Sequence, residues 1–143
     1  MKTMIVTGAG SGLGKELSIL LSKQGYHIVL SGRNTTKLNA VKMEIEGNGG
    51  KADISHLDIR KAAEARATIE DVCQRLNVFG IVNNAGVGYF GPLTSSSEDQ
   101  IKDMMETNAL GTIYLTQALL PFLSKTGQGH IINIISTAGL RGK

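Results

Sequence analysis

Four glycines at alternate positions, Gly8, Gly10, Gly12 and Gly14, lie in TGAGSGLG (7–14), between the apolar run MIVT (4–7) and a segment of helical period. Glycine loses more conformational freedom on folding than any other residue, so such a cluster needs a reason. Three of the positions have one. Gly8 lets the chain turn sharply off a strand, Gly12 lets a pyrophosphate approach the backbone, and Gly14 lets the next helix pack close to the sheet. The helix N-terminus then offers unpaired N–H groups and a partial positive charge. Ser11 adds a hydroxyl donor. The chemistry implied is the binding of a dinucleotide diphosphate.

A second phosphate-binding pattern overlaps the first. AGSGLGKE (9–16) approaches G-x-x-x-x-G-K-[ST], with Gly14 and Lys15 in place. Ala9 stands where the first glycine belongs. Glu16 replaces the Ser or Thr that would hold magnesium, and its charge would repel a triphosphate. Two misplaced residues argue against a triphosphatase.

Arg33 follows the second apolar run, in LSGRN (30–34), and no acidic residue stands at the end of that run. In dinucleotide folds an acid near this point binds the adenosine ribose of NAD, whereas an arginine accommodates the 2′-phosphate of NADP. The expected cofactor is therefore NADP(H) rather than NAD(H).

These residues need a scaffold, and the hydrophobic pattern describes one. MIVT, HIVLS (27–31), a segment near 52–57, the start of FGIVNNAG (79–86) and GHIINIIS (129–136) are short runs rich in Ile and Val. Between them lie segments of helical period. Leu13, Leu17, Leu20 and Leu21 mark the first. Leu38, Val41 and Ile45 mark the second, with Thr35 or Thr36 as its N-cap. Ile69, Val72 and Leu76 mark the third. A long helical region spans 98–124, with Met104, Met105, Leu115, Leu119 and Phe122 towards the core and Pro121 bending or ending it. Strict alternation of strand and helix predicts an α/β fold: a Rossmann-type, doubly wound parallel sheet with helices on both faces. The expectation is one domain over 1–143.

Composition narrows the class. The chain of 143 residues is 41% hydrophobic and 19% charged, which suits a globular domain with a real core. The net charge of +3 comes without a cluster of Lys and Arg, so no nucleic-acid partner is expected. No stretch is long enough to span a membrane, and a single cysteine, Cys73, fits a reducing compartment. The expected location is cytoplasmic. His27, His56 and His130 lack metal-ligand spacing, so no metal is expected. Tyr89 and Phe90 are candidates to line a substrate pocket, while Glu98, Asp99 and Asp103 read as a solvated helix start.

With TGAGSGLG, NNAG (83–86), Asn108 in METNALG (105–111) and IINIISTAG (131–139), the sequence resembles the short-chain dehydrogenase/reductase family over its whole length. The resemblance implies hydride transfer between a nicotinamide cofactor and a small carbonyl or alcohol substrate. It assigns Gly8, Ser11, Gly12, Leu13 and Gly14 to the pyrophosphate. Asp58, in LDIR, would meet the adenine with its side chain, with Ile59 beside it. Asn84, Ala85 and Gly86 would line the adenosine ribose. Asn108 would hold a proton-relay water through its backbone, and Ser136 would hydrogen-bond the substrate oxygen.

The family protonates that oxygen with a tyrosine four residues before a lysine, beyond the serine. No Tyr-x-x-x-Lys occurs in the sequence: Tyr26 is followed by Leu30, Tyr89 by Leu93 and Tyr114 by Ala118. The family's later strands and helices, including a helix that pairs with 107–124 at a dimer interface, are also expected beyond this sequence. The expectation is thus an incomplete form of a longer, homo-oligomeric enzyme. The alternative is a dinucleotide-binding module, or a remnant, without activity.

Overall fold

The computed structural model describes residues 1–141; Gly142 and Lys143, the end of the expected domain, lie outside the described residues. Among the described residues five strands form one sheet: β1 (Thr3–Thr7), β2 (His27–Gly32), β3 (Ala52–His56), β4 (Val78–Asn83) and β5 (His130–Asn133). Their order is β3-β2-β1-β4-β5, and every neighbouring pair is parallel. The helices are α1 (Gly12–Lys23), α2 (Thr35–Gly47), α3 (Ala62–Arg75), α4 (Glu98–Met105) and α5 (Thr112–Thr126).

Side chains alternate across the strands and so divide the core into two layers. Ile5, Val29 and Ile81 face Ala65, Ile69 and Val72 of α3 and Leu115, Leu119 and Leu123 of α5. Met4, Val6, Ile28, Leu30 and Val82 face Ile19 of α1 and Leu38, Val41 and Ile45 of α2. Both faces are covered, as the continuous apolar strands demand.

The chain reverses its direction of sheet-building between β1 and β4. The helices that follow them pack on opposite faces, α1 on one and α5 on the other, and a crevice beyond the carboxyl ends at such a point is where open α/β sheets bind ligands. The glycine loop and the NNAG segment both lie at this point.

Several local expectations need correction. Leu17 and Leu21 pack half-buried against the core, but Leu13 and Leu20 are exposed; the fully buried residues of α1 are Gly14, Ser18 and Ile19. Small residues bring its axis close to the sheet, and the Ser18 hydroxyl donates back to the Gly14 carbonyl at 2.7 Å. Asn34, not a threonine, caps α2, accepting the Lys37 N–H at 3.0 Å. The long helical region is interrupted by a π-helical turn, Glu106–Gly111. Wide turns of this kind shift the helical phase and are frequent at functional sites. No residue of α4 is buried, Met105 included, whereas Thr107 and Gly111 within the turn are. Pro121 does not end α5, which runs on to Gly127 in the left-handed conformation (φ 67°). The carbonyl that Pro121 leaves unpaired belongs to Gln117, an exposed residue, so water can satisfy it. The fifth strand is shorter than the apolar run that marks it.

Candidate functional site

Gly8 leaves β1 with φ 62° and Gly12 opens α1 with φ 53°, both in the left-handed region that favours glycine. Ser11 precedes α1, but its side chain caps no helix N–H, so the hydroxyl is free for a ligand. Thr7, a residue the motif reading passed over, locks the loop to the neighbouring strand. Its Oγ1 accepts the N–H groups of Asn84 at 3.0 Å and Ala85 at 2.9 Å. The Asn84 amide in turn donates to the carbonyls of Thr7 (3.2 Å) and Gly8 (3.3 Å). The signal for Thr7 was its position as the last residue of β1, paired in space with the distant end of β4; spacing alone does not reveal it.

A cleft of about 120 Å³ opens beside this junction, lined by Thr7, Gly8, Arg33, Asp58, Ile59, Ala85 and Gly86 among others. Arg33 is exposed at its rim, beyond the end of β2. Ile59 is buried on its floor and meets Gly111, where even one added carbon would clash with the isoleucine. Asp58 lines the cleft, but both its carboxylate oxygens are held by Arg60, at 2.7–3.2 Å. That hydrogen bonding lowers the Asp58 carboxyl to about 2, against burial, which acts in the opposite direction.

A second cavity, of about 730 Å³, adjoins the first through Ala85, Gly86 and Val87 and holds Asn108 and Ser136. Asn108 lies in the π turn. Its side chain pairs reciprocally with Val87, accepting the N–H at 2.8 Å and donating to the carbonyl at 2.7 Å. Ser136 follows β5, whose end is set by an amide ladder. Asn83 pairs with Asn133 in register, and its side-chain amide donates to the Asn133 oxygen at 2.9 Å and to Thr116 Oγ1 at 3.2 Å. The Ile134 N–H then donates to the Asn83 carbonyl at 3.0 Å. Ser136 Oγ accepts the Ala138 N–H at 3.1 Å, which orients the oxygen and leaves its own O–H to donate.

The sequence-derived residues therefore fall into two adjoining groups. Gly8, Arg33, Asp58, Ile59, Ala85 and Gly86 share the cleft, with Ser11, Gly12, Leu13 and Gly14 on the loop and first turn beside it. Asn84, Asn108 and Ser136 share the larger cavity with Ala85 and Gly86.

A family model described as short chain dehydrogenase matches residues 2–143. The chain belongs to the short-chain dehydrogenase family. Within the family, it is 32% identical over 146 residues to a sepiapterin reductase of Chlorobaculum tepidum, an alignment covering 96% of this chain and 60% of that protein. An uncharacterized oxidoreductase of Listeria monocytogenes is 34% identical, with coverage of 98% and 57%. Among solved structures, a metagenomic short-chain oxidoreductase in complex with NADP superposes with a TM-score of 0.95 at 33% identity, covering 99% of this chain and 65% of that one. An alcohol dehydrogenase of Thermococcus sibiricus complexed with 5-hydroxy-NADP gives 0.92 at 32% identity, with coverage of 99% and 60%. The chain thus spans about 60% of the length of the curated relatives it matches.

Two other expectations change, those for Tyr89 and Phe90 as pocket residues and for Asp103 as a solvated charge. Tyr89 donates its hydroxyl to Asp103 at 2.7 Å, and this bond raises the phenol above its ordinary range. Phe90 is fully exposed. Asp103 is not a solvated helix-start charge: its side chain is 15% exposed and takes bonds from Arg60, Tyr89 and Thr107. Cys73 packs half-buried against the α3–α5 layer, where burial pushes its thiol up to about 11. His27 pairs with Asp53 at 2.9 Å beside the sheet. Among the described residues no group of three potential metal ligands occurs, and no helix is long and apolar enough to cross a membrane.

Proposed function

We propose that this chain is the cofactor-binding part of an NADP(H)-dependent oxidoreductase acting on a small carbonyl or alcohol. The observation that carries the reading is the placement of Arg33 at the rim of the cleft floored by Gly8, Asp58 and Ile59, with no carboxylate at the end of β2. Two solved relatives whose structures contain NADP or an NADP derivative support the same choice.

In this reading the free N–H groups of α1 and the Ser11 hydroxyl bind the pyrophosphate, with Gly8, Gly12 and Gly14 making room and Leu13 covering it. The Arg33 guanidinium holds the 2′-phosphate. Asn84, Ala85 and Gly86 border the ribose. Ile59 is the apolar floor under the adenine, and Asp58 shapes that end through Arg60. The nicotinamide supplies or accepts hydride when bound. Ser136 donates its O–H to the substrate oxygen and polarises the carbonyl, while Asn108 holds the Val87 backbone that walls the cavity. Partners, location in the cytoplasm and a homo-oligomeric state belong to the same proposal, as does the role of Asn108 in holding a relay water.

The test is a calorimetric titration of the purified chain with NADPH and NADH. Tighter binding of NADPH supports the reading. Equal affinities remove the cofactor preference, and no binding of either removes the function.

A further inference from the structure

Arg60 lies at the centre of a chain of hydrogen bonds that joins three separate segments. Its Nε and Nη2 form a fork on Asp58, and its backbone N–H reaches Asp58 Oδ1 at 3.1 Å. Its remaining arm, Nη1, donates to Asp103 Oδ1 at 2.8 Å. Asp103 Oδ2 accepts the Tyr89 hydroxyl at 2.7 Å, and Oδ1 also accepts Thr107 Oγ1 at 3.3 Å. The chain thus runs from the loop after β3, which forms the adenine end of the cleft, through α4 to the loop after β4.

The parts suit a coupling. The side chains of Asp58, Arg60 and Asp103 are 14%, 31% and 15% exposed, so the bonds of Arg60 to the two carboxylates are part-buried, while Tyr89 at the end of the chain is 42% exposed. Arginine is always charged and its fork is rigid, so turning the end on Asp58 turns the end on Asp103. The 87–92 loop is held by side chains at two points among the described residues: Val87 by Asn108, and Tyr89 by Asp103. Gly88 and Gly91 flank the second anchor, Gly91 at φ 135°, and Phe90 beside it is fully open to solvent. Tyr89 is not among the residues lining the cleft.

We infer that Arg60, Asp103 and Tyr89 are positioning residues that couple occupation of the adenine end of the cleft to the order of the 87–92 loop. A ligand that engages Asp58 acts on Arg60, and Arg60 passes the constraint to the Asp103–Tyr89 anchor. Linkage makes the effect reciprocal: loosening Tyr89 weakens the cofactor. This inference rests on the dinucleotide reading of the cleft.

The sequence has no tryptophan, so Phe90→Trp places a single indole reporter on the loop. The fluorescence anisotropy of that indole and the calorimetric NADPH affinity are measured in this parent chain, and with Tyr89→Phe, Arg60→Gln and both added. Tyr89→Phe is expected to lower the anisotropy and weaken NADPH roughly fivefold, the lower end of typical couplings. The double variant should bind no more weakly than Arg60→Gln alone, because the two act in one chain. NADPH should raise the anisotropy of the parent and not of the Arg60→Gln form. Should Arg60→Gln fail to fold, Arg60→Lys keeps the charge without the fork and is expected to show the same loss of coupling. Unchanged NADPH affinity in Tyr89→Phe, or losses that multiply in the double variant, overturn the coupling while leaving the cofactor reading intact. A parent that binds no NADPH overturns both.

Discussion

Gly14 packs its Cα against the Gly8 carbonyl so closely that a single added carbon would overlap the Gly8 oxygen and the Asn84 side-chain amide. The first turn of α1 is thereby pressed onto the end of β1 at the point where Asn84 ties β4 to the same loop. Gly12 differs: nothing lies within 4 Å of the place its Cβ would occupy, and only its φ of 53° favours glycine.

Gly14→Ala and Gly12→Ala should therefore separate. Gly14→Ala meets backbone, which cannot step aside, and is expected to cost about 3 kcal/mol or more and to abolish NADPH binding. Gly12→Ala is expected to cost about 1 kcal/mol, from left-handed strain alone, and to leave a folded chain. Thermal unfolding of both variants checks the order; similar losses would count against the close approach at Gly14.

Arg33→Asp replaces a cation at the cleft rim with a carboxylate. NADPH affinity should fall at least about tenfold, since a charge-assisted contact is lost and a repulsive one is gained. NADH affinity should hold or rise. Fluorescence titration with both nucleotides reads the ratio, and an unchanged ratio would show that Arg33 does not meet the phosphate.

Asp58 gives acid stability a defined window. Its folded pKa, about 2, lies below the ordinary 3.8 because Arg60 favours the carboxylate. The unfolded chain therefore takes up the proton first. The stabilisation is present above pH 3.8 and is lost as pH falls towards 2. Urea unfolding between those limits should weaken less steeply in Asp58→Asn than in the parent chain. Parallel slopes would mean that the Arg60 fork does not favour the ionised form.

Among the described residues β5 lies at the edge of the sheet, and Ile135 just beyond it is 85% exposed, with Ile132 and Ile134 also open to solvent. Exposed apolar edges template pairing between chains. Ile135→Lys should reduce light scattering on concentration and change stability by less than about 0.5 kcal/mol. Undiminished scattering would direct attention to the exposed Met105, Leu110 and Ile113 instead.

Much of the fold was legible because its signals are local. Apolar strands of four to six residues, helical period between them, and glycines at the first turn each report on neighbours in sequence. Leu115 and Leu119 are buried where the period places them. Met105 is not, because α4 buries none of its residues, and the π turn that separates it from α5 is a feature no periodic reading contains. The glycine loop and Arg33 were legible for the same reason, each standing directly after a strand.

The sequence by itself determined the element order, the glycine loop between β1 and α1 and the family to which the chain belongs, because those depend on residue type at short spacing. Only the tertiary structure decided that Thr7 holds Asn84 and Ala85, that Asn108 clasps Val87, and that Asp58 is joined through Arg60 to Asp103 and Tyr89. Those pairs lie far apart in sequence, and no spacing rule links them. They meet because the sheet places β4 beside β1 and because α4 and the π turn lie against the loops after β3 and β4.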